Sequence, residues 1–474
     1  GRAMPKTIII SATPEETRMA LAEEGKLMEY VVERNSEQHM VGSVFKGKVK
    51  NVVRGIQAAF VDIGREQNAF LFLGENSDVT EGQSVLVQVT KDARGTKGPT
   101  VVREIALPGR YAVLLPASDY IGISHKISNK DEKQRLKSLV AAHKPEGLGF
   151  VIRTLAEGVP DELLLADIRQ LLATWQVISA RAQHGQAPLH LYRELDLSVR
   201  IVRDYLTEQV DKIILDDAVV YKRVCELLSD MGSVLPTKLV LHESKDDVFA
   251  YYQLNDQIAG ISDRKVWLDC GGYLVIDYTE AMTVIDVNSG KFSGNVNLED
   301  TVMQINRQAA AQIARQLRLR DIGGIIVVDF IDMHSEENQK EIIALLNSVL
   351  ADDKMKPKVQ DITVLNLVEI TRKKARQNLS TVLYNTCPTC QGSGRVQSPE
   401  TISVEIRRRL RHLMSKRMAA KNVLIQVHPL VAEWLIKHDV KHMEREFSCS
   451  ILVEADERLH VEAFAILDNT ALDK

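Results

Sequence analysis

Alternating apolar and polar positions dominate the first hundred residues, which predicts β-strands there. Two apolar runs, 7–10 and 27–32, are expected to form a strand pair that opens a sheet. From about residue 42 to residue 102, short apolar stretches alternate with turns marked by glycine, and no helical period interrupts them. Short strands at this spacing predict a small closed β-barrel.

Helical and strand patterns alternate after the barrel. Residues 163–181 follow the 3.6-residue period of a helix, and 272–382 predict the order strand, strand, long helix, strand, helix, strand. The long helix is expected to begin near Leu298, and a basic helix over about 402–420 precedes a small α/β segment. The whole pattern predicts a multidomain α/β protein.

Composition limits the classes of protein that fit. The chain has 474 residues, of which 45% are hydrophobic and 26% charged, and 60 Lys and Arg against 64 Asp and Glu give a net charge of −4. These are ordinary globular values. Five cysteines are too few for a disulfide framework, and no signal peptide is expected after the vector-derived Gly1-Arg2-Ala3, so a cytoplasmic protein is predicted.

Aromatic and basic residues are interleaved in the barrel segment. Phe60 and Phe70 each lie beside a turn with glycine, and the cations are Lys46, Lys48, Lys50, Lys91, Arg94 and Lys97. Bases of single-stranded RNA stack on aromatic rings while cations follow the phosphates. The alternative is that both phenylalanines are barrel core and that the lysines form a solvated face.

Two aspartates lie in strands that flank the long helix. Asp286 and Asn288 share one face of the first strand because side chains at i and i+2 point the same way. Asp329 lies inside a continuous apolar run typical of a buried strand. A strand–helix–strand unit is expected to bring the aspartates together, where Mg²⁺ would offset their repulsion. The alternative assigns one aspartate to a turn or helix cap and the other to a buried ion pair.

Cys387 and Cys390 have the spacing and the following glycines of a zinc knuckle, but they supply only two of four ligands. The other cysteines (Cys225, Cys270 and Cys449) are isolated in sequence. The pair therefore shares a metal with a second chain, acts in redox chemistry, or has no role. The basic helix that follows is either a solvated face or a surface for RNA or a second subunit.

The order of these motifs resembles the ribonuclease E/G family of bacterial endoribonucleases, and within it the ribonuclease G branch. The motifs are A-A-F-V-D-I-G at 58–64, I-D-V-N-S at 285–289, R-Q-L-R-L-R-D-I-G-G-I-I-V-V-D-F-I-D-M at 315–333, and C-P-T-C-x-G-x-G at 387–394. The resemblance covers essentially residues 6–474.

The resemblance implies a ribonuclease H-like subdomain interrupted by two inserted domains. Its expected parts are the ribonuclease H-like subdomain (6–38 and 200–261), an OB-fold RNA-binding barrel of the S-one type (39–104), a 5′-sensor domain (105–199), a deoxyribonuclease-I-like catalytic subdomain (262–382), a zinc link (383–397) and a small C-terminal domain (398–474).

The resemblance also implies residue roles. These are Asp286 and Asp329 as magnesium ligands, Asn288 as a substrate-orienting group, Phe60, Phe70 and Lys97 as RNA contacts, Val113, Arg153 and Thr154 as the pocket for an RNA 5′ monophosphate, and Cys387 and Cys390 as zinc ligands shared by a homodimer. His125 stands where the family pattern leads us to expect arginine, which weakens one RNA contact.

The function implied is a Mg²⁺-dependent endoribonuclease that cleaves single-stranded RNA to 5′-phosphate and 3′-hydroxyl ends. It would be stimulated by a 5′ monophosphate and act in rRNA and tRNA precursor processing and mRNA decay. The rivals are a catalytically silent RNA-binding protein and a DNA phosphodiesterase. Retention of Asp286, Asn288 and Asp329 argues against the first, and the barrel disfavours the second.

Overall fold

The structure is a computed structural model that describes residues 6–34, 39–74, 77–93, 97–207, 209–230, 238–290, 298–351, 353–373, 379–415 and 422–468. The chain divides into two compact units, Gly1–Val382 and Leu383–Lys474. Both units mix helices with strands, so the predicted multidomain α/β class is confirmed. Among the helices of the described residues, none is long and apolar enough to cross a bilayer.

The first half of unit one is rich in strands. Its elements are β1 (Lys6–Ala12), β2 (Glu16–Glu23), β3 (Lys26–Arg34), β4 (Val44–Val53), β5 (Ala58–Asp62), β6 (Ala69–Phe72), β7 (Ser84–Lys91), β8 (Thr100–Val102), β9 (Leu107–Pro108), β10 (Ala112–Leu115), β11 (Ile121–Ile123), α1 (Lys130–His143), β12 (Gly149–Ile152), α2 (Asp161–His184) and β13 (Leu189–Tyr192).

The second half alternates helices and strands. Its elements are α3 (Leu197–Tyr205), β14 (Val210–Leu215), α4 (Ala218–Asp230), β15 (Leu239–Leu241), α5 (Val248–Tyr251), α6 (Asn255–Ala259), β16 (Lys265–Trp267), β17 (Tyr273–Tyr278), β18 (Met282–Asn288), α7 (Leu298–Leu319), β19 (Gly324–Asp329), α8 (Glu336–Leu350), β20 (Lys358–Ile362), β21 (Leu367–Arg372) and α9 (Leu379–Leu383), the last of which reaches the unit boundary.

The opening sheet has the order β15-β14-β1-β2-β3, with β1 parallel to β14 and antiparallel to β2. The predicted pairing of β1 with β3 is therefore wrong, because β2 lies between them. The four central residues of β2 (Met19, Ala20, Leu21 and Ala22) are all buried, so this strand lacks the alternation that marks a half-exposed strand. The sheet joins the start of the chain to residues 210–241.

The predicted barrel is confirmed as five strands, β4 to β8. The strands follow the order β4-β5-β6-β8-β7, and a pairing of β4 with β7 closes them. Its core is made of small and medium apolar side chains such as Ala59, Val61, Ala69 and Leu71. At Gly47 a Cβ atom would lie 2.3 Å from a methyl carbon of Val61, so only glycine fits there.

A second small sheet, β11-β12-β10-β9, packs with α1 and α2 over residues 107–184. Asp167 of α2 accepts hydrogen bonds from the backbone N–H groups of Arg110, Tyr111 and Ala112 at 3.1, 2.8 and 3.0 Å. This carboxylate fixes the start of β10 against α2.

A six-stranded sheet in unit one has the order β16-β17-β18-β19-β21-β20. Helices α7 and α8 pack on one face, where Ile285, Ile326 and Val328 are buried against Ile305 of α7. Residues 272–382 contain one strand more than predicted, because β20 and β21 form a hairpin-like antiparallel pair after α8. The opposite face of the sheet carries polar and half-exposed side chains.

Helix α7 is attached to the opening sheet by its arginines. Arg315 donates from Nε to the backbone oxygen of Leu27 at 2.9 Å, and Arg318 donates to Glu29 at 2.8 Å. These long-range contacts link the helix that connects β18 and β19 to β3.

The described residues of unit two form one three-stranded sheet and three helices. Its elements are α10 (Pro399–Ser415), β22 (Asn422–Val427), α11 (Pro429–His438), α12 (Val440–Phe447), β23 (Ser450–Ala455) and β24 (Phe464–Asp468). The sheet order is β23-β22-β24, with β22 parallel to β23. Helix α10 begins three residues before the predicted position, because Pro399 suits a first helical turn. Residues 416–420 of the predicted helix lie outside the described residues.

Candidate active site

The two aspartates meet at the ends of neighbouring strands. Asp286 of β18 and Asp329 of β19 lie directly opposite each other in the parallel register. Helix α7 makes the connection between these strands, as expected for a strand–helix–strand unit. Since opposed residues on paired strands point to the same face, both carboxylates project from the face that α7 and α8 leave uncovered.

Asn288 joins this pair through Asp286. Its side-chain Nδ2 donates to the Oδ2 of Asp286 at 2.8 Å, as the shared strand face predicts. The bond orients both side chains, and the amide remains next to the oxygen that a cation would contact.

Asp329 is exposed, which corrects the prediction of a carboxylate inside a buried strand. The sheet is covered on one face only, so Ile326 and Val328 enter the core while Ile325, 48% exposed, shares the outer face with Asp329. Because the Asp329 carboxylate is not buried, the free-energy cost of burying its charge gives no reason to expect a metal ion beside it. The argument that remains is the repulsion between two opposed carboxylates.

Electrostatics at Asp329 are unfavourable for the ionised form. Partial desolvation and then the negative charges of Asp286 and Asp332 raise the pKa of Asp329. Asp332, which sequence reasoning did not single out, also accepts a hydrogen bond from Asn366 at 3.3 Å. Its signal was the D-F-I-D spacing after β19. A hard divalent cation would neutralise this accumulation of oxygen ligands, which is the donor type that Mg²⁺ prefers.

Buried Asn306 of α7 holds the backbone that follows β19. Its Nδ2 donates to the oxygen of Ile331 at 2.9 Å, and its Oδ1 accepts from the N–H of Ile331 at 3.2 Å. These two hydrogen bonds to the backbone of Ile331 fix the segment between Asp329 and Asp332. Within the described part of the chain, no group of three or more His, Cys, Asp or Glu side chains is arranged so that it could hold a metal ion.

The two phenylalanines predicted to contact RNA lie outside the barrel core. Phe60 and Phe70 are opposed residues on β5 and β6, their ring centroids are 6.0 Å apart, and both rings are half-buried. Lys97 is exposed and begins the segment that pairs with β6, where the N–H of Phe70 donates to the oxygen of Pro99 at 2.7 Å. Phe60 and Phe70 therefore share one face of the barrel, and Lys97 lies in the segment that leads to the strand next to Phe70.

The RNA-binding surface predicted for the barrel gains one aromatic residue and loses one lysine in the structure. Phe72, two residues beyond Phe70 on the same strand face, is 63% exposed and was missed by the sequence reasoning. Lys46 is not part of a solvated face, because its Nζ donates to the oxygens of Ala182 and Gly185 at the end of α2. Lys48 and Lys50 are exposed, and Arg94 lies outside the described residues.

Arg153 lies directly after β12, half-buried and already engaged by protein groups. Its Nη1 donates to the oxygen of Gly109 at 2.6 Å and to Asp204 at 2.7 Å. Burial alone would raise the pKa of Asp204, but the guanidinium groups of Arg203 and then Arg153 outweigh it and lower that pKa. Arg153 therefore already forms an ion pair with Asp204 within the protein.

The other expected 5′-sensing residues lie close to Arg153 in the fold. Exposed Thr154 shares a hydrogen bond of 2.8 Å with Ser124 through their hydroxyl groups. Half-buried Val113 of β10 is opposite Val151 of β12. His125 follows Ser124 and is exposed, so a residue at this position can contact a ligand bound at Thr154.

Cys387 and Cys390 form a compact turn in unit two. The N–H of Gln391 donates to the oxygen of Cys387 at 2.8 Å, and Gly392 adopts a φ of 91°, which favours glycine. Backbone N–H groups of Cys390 and then Thr389 lower the pKa of the Cys387 thiol. The local geometry thus favours the thiolate form of Cys387, which is exposed, whereas Cys390 is half-buried.

The basic helix α10 uses part of its charge within unit two. Arg407 pairs with Asp439, and Arg411 donates from Nε to Glu446 at 2.8 Å. Arg408 and Arg409 are exposed. Arg411 is exposed as well in spite of its pairing, so the solvated-face interpretation fits these three arginines, whereas Arg407 is half-buried.

Two family models match the chain. The model described as Ribonuclease E/G family covers residues 106–375, which include both aspartates and Asn288. The chain belongs to the Ribonuclease E/G family. A second model, described as RNase E/G, Thioredoxin-like domain, covers residues 386–469. This range includes the segment from β22 to β23 and also Cys387 and Cys390, which precede α10.

Several relatives in the Ribonuclease E/G family are similar over nearly the whole chain. Ribonuclease G of Escherichia coli is 37% identical over 98% of this chain and 100% of its own. Ribonuclease G of Haemophilus influenzae is 38% identical over 91% of this chain and 92% of its own. Ribonuclease E of Nostoc sp. is 39% identical over 82% of this chain and 59% of its own. The predicted enzyme class, an endoribonuclease, is confirmed by this membership.

Proposed function

We propose that this protein is a Mg²⁺-dependent endoribonuclease that cleaves single-stranded RNA to 5′-phosphate and 3′-hydroxyl ends. The observation that carries the proposal is the opposition of Asp286 and Asp329 on one exposed sheet face, with Asn288 bonded to the first of them. Ribonuclease names among relatives that span the chain support RNA as the substrate.

Asp286 and Asp329 would hold the cation through carboxylate oxygens. Their donor set fits Mg²⁺, which takes one or two carboxylates and leaves its other positions to water and substrate phosphate. When bound, Mg²⁺ supplies charge stabilisation at a phosphoryl oxygen and makes a bound water easier to deprotonate. Asn288, held by Asp286, would donate its second amide hydrogen to the substrate phosphate and orient it.

The barrel would bind the RNA strand beside the catalytic sheet. Phe60 and Phe70 present half-buried rings outside the barrel core, and Lys97 is an exposed cation in the segment before β8. Stacking of a base on such a ring contributes about 1–3 kcal/mol. This arrangement supports an RNA platform over a purely structural role for the two phenylalanines.

Arg153 and Thr154, with Val113 nearby, would bind the 5′ monophosphate of the RNA. The guanidinium offers a planar set of donors, of which Nη1 bonds protein oxygens, and Thr154 offers a hydroxyl group. A terminal phosphate would then compete with Asp204 for Arg153. We propose stimulation by a 5′ monophosphate on this basis.

Cys387 and Cys390 would bind half of a zinc site, with the same pair of a second chain completing four thiolate ligands. The turn geometry and the lowered pKa of Cys387 support a thiolate ligand. A homodimer, and assembly beyond it, are part of the proposal. So are a cytoplasmic location and roles in rRNA and tRNA precursor processing and mRNA decay.

Incubation with labelled single-stranded RNA and DNA of the same sequence tests the proposal. We expect internal cleavage of RNA with Mg²⁺, none with a chelator, and little cleavage of DNA. RNA binding without cleavage under every metal condition would instead favour the catalytically silent binding protein, and equal cleavage of DNA would favour a general phosphodiesterase.

A further inference from the structure

An aromatic pair covered by a lysine lies at the edge of the sheet that carries the aspartates. Trp267 of β16 and Tyr273 of β17 are opposed residues whose ring centroids are 5.3 Å apart at an interplanar angle of 62°. The Nζ of Lys265 lies 4.0 Å from the Trp267 ring centroid and 3.6 Å from that of Tyr273. Trp267 is nevertheless 58% exposed.

The strand register places this pair in line with the candidate active site. Tyr273 is opposed to Trp267 on one side and to Asn288 on the other, so the three form one row across β16, β17 and β18. Asp286 and Asp329 are opposed in the row two residues away. At a strand spacing of about 4.8 Å, Trp267 lies about 10 Å from Asn288 on the same face, which is within reach of the nucleotides next to a bound phosphate.

The turn that presents Tyr273 is fixed against the end of β18. A Cβ atom at Gly290 would lie 2.3 Å from the oxygen of Gly271, and one at Gly272 would lie 2.9 Å from the oxygen of Asn288. The N–H of Cys270 also donates to Gln308 of α7 at 2.9 Å. These close approaches hold the turn and the aromatic row in one position relative to Asn288.

The contacts of Lys265 explain the position of the Trp267 and Tyr273 rings, but most of the Trp267 indole remains exposed to solvent. A cation over an aromatic face is attracted to it, so Lys265 stabilises the arrangement of Trp267 and Tyr273. The cation also adds positive charge beside two carboxylates that would otherwise repel a polyanion. An exposed ring held rigidly next to a phosphate-binding centre has the chemistry of a base-stacking platform.

We propose that Trp267, supported by Tyr273 and Lys265, stacks on a base of single-stranded RNA close to the bond that is cleaved. This inference rests on the proposed function, and it assigns to the catalytic sheet a nucleotide contact separate from the barrel. Any of the four bases can stack on an aromatic ring, so this contact would position the RNA strand and would contribute little sequence specificity.

Kinetics of four single variants test the platform. Trp267→Ala should raise KM for a short single-stranded RNA by about 5- to 150-fold, the range for one lost stacking contact, with a smaller change in kcat. Trp267→Phe should keep most of the affinity, whereas Trp267→Leu should behave like the alanine variant. Tyr278→Ala, an exposed aromatic (42%) at the other end of β17, is the matched control and should leave KM unchanged.

Fluorescence gives a readout that does not depend on cleavage. In a chelating buffer, a single-stranded oligoribonucleotide should quench the indole emission of the unmutated protein, and Trp267→Phe should lose most of that quenching although Trp175 and Trp434 remain. Unchanged KM in Trp267→Ala, unchanged quenching in Trp267→Phe, or a change in oligomeric mass in place of the KM effect would each overturn the platform. If the unmutated protein cleaves no RNA, the proposed function fails instead, and the quenching result alone decides the platform.

Discussion

Replacement of Asp329 by asparagine should have opposite effects on catalysis and on stability. Asp329 is opposed to Asp286 on the next strand, and desolvation followed by the charges of Asp286 and Asp332 raises its pKa. A carboxylate that holds a cation is needed for turnover, yet without the cation it is repelled by its neighbours. Asp329→Asn keeps the shape of the side chain and removes only the charge.

The size of both effects follows from the geometry. Two unit charges about 5 Å apart on neighbouring strands repel by about 1 kcal/mol in a solvent-like dielectric. The metal-free variant should therefore unfold about 1–2 °C higher than the unmutated protein, and less so at high salt. Loss of a metal ligand removes several kcal/mol of charge stabilisation, so cleavage should fall by at least about 100-fold.

The assay combines thermal melts in chelator and in Mg²⁺ with cleavage of a single-stranded RNA. Mg²⁺ should raise the melting temperature of the unmutated protein but not of Asp329→Asn, because only the former binds the ion in its folded state. Asp277→Asn on β17 is the matched control, since Asp277 is paired with Arg264 at 2.6 Å. It should cleave normally and be slightly less stable. Near-normal cleavage by Asp329→Asn, or a clearly lower melting temperature in chelator, would refute the reasoning.

Four further predictions address separate parts of the chain. Phe60→Ala should weaken RNA binding by about 5- to 150-fold in a titration, with little change in melting temperature because the ring lies outside the barrel core; a large fall in melting temperature with intact binding would return Phe60 to a core role. Arg153→Ala should abolish the faster cleavage of 5′-monophosphorylated over 5′-hydroxyl RNA, an effect of about 10- to 150-fold, and equal rates with the unmutated enzyme would remove the sensing role. Metal analysis should find about half a zinc per chain, and Cys387→Ser should release it and shift the mass toward monomer; a full zinc per monomer contradicts sharing. Hydrogen bonding to Asp92 and then Glu33 raises the pKa of His39 to about 9 from an ordinary value of 6.5, so its contribution to stability, at most about 3 kcal/mol, is complete below pH 6.5 and disappears as the pH rises through 9. The melting-temperature difference between the unmutated protein and His39→Gln should accordingly be largest near pH 6 and small at pH 9.5, and a difference that grows with pH would contradict it.

The local sequence pattern was enough to predict those features that depend on residues close together in the sequence. The period of two placed Asp286 and Asn288 on one strand face, and their hydrogen bond of 2.8 Å follows from it. The turn around Cys387 and Cys390 is likewise local, since its hydrogen bonds span three or four residues and its glycines supply the positive φ angles. The order of motifs was also enough to indicate the family.

Tertiary structure alone decided which faces are covered and which distant residues meet. The run around Asp329 looked buried on both faces, but helices cover only one side of the sheet, so the carboxylate is exposed. The sequence A-A-F-V-D is compatible with a strand that faces the core with either set of alternate residues. In the closed barrel, Ala59 and Val61 face the core and Phe60 faces outward. The position of Trp267 in line with Asn288 could not be inferred from spacing. The hydrophobic period indicates which face of a strand a residue occupies, but it does not say which residue of another strand lies beside it.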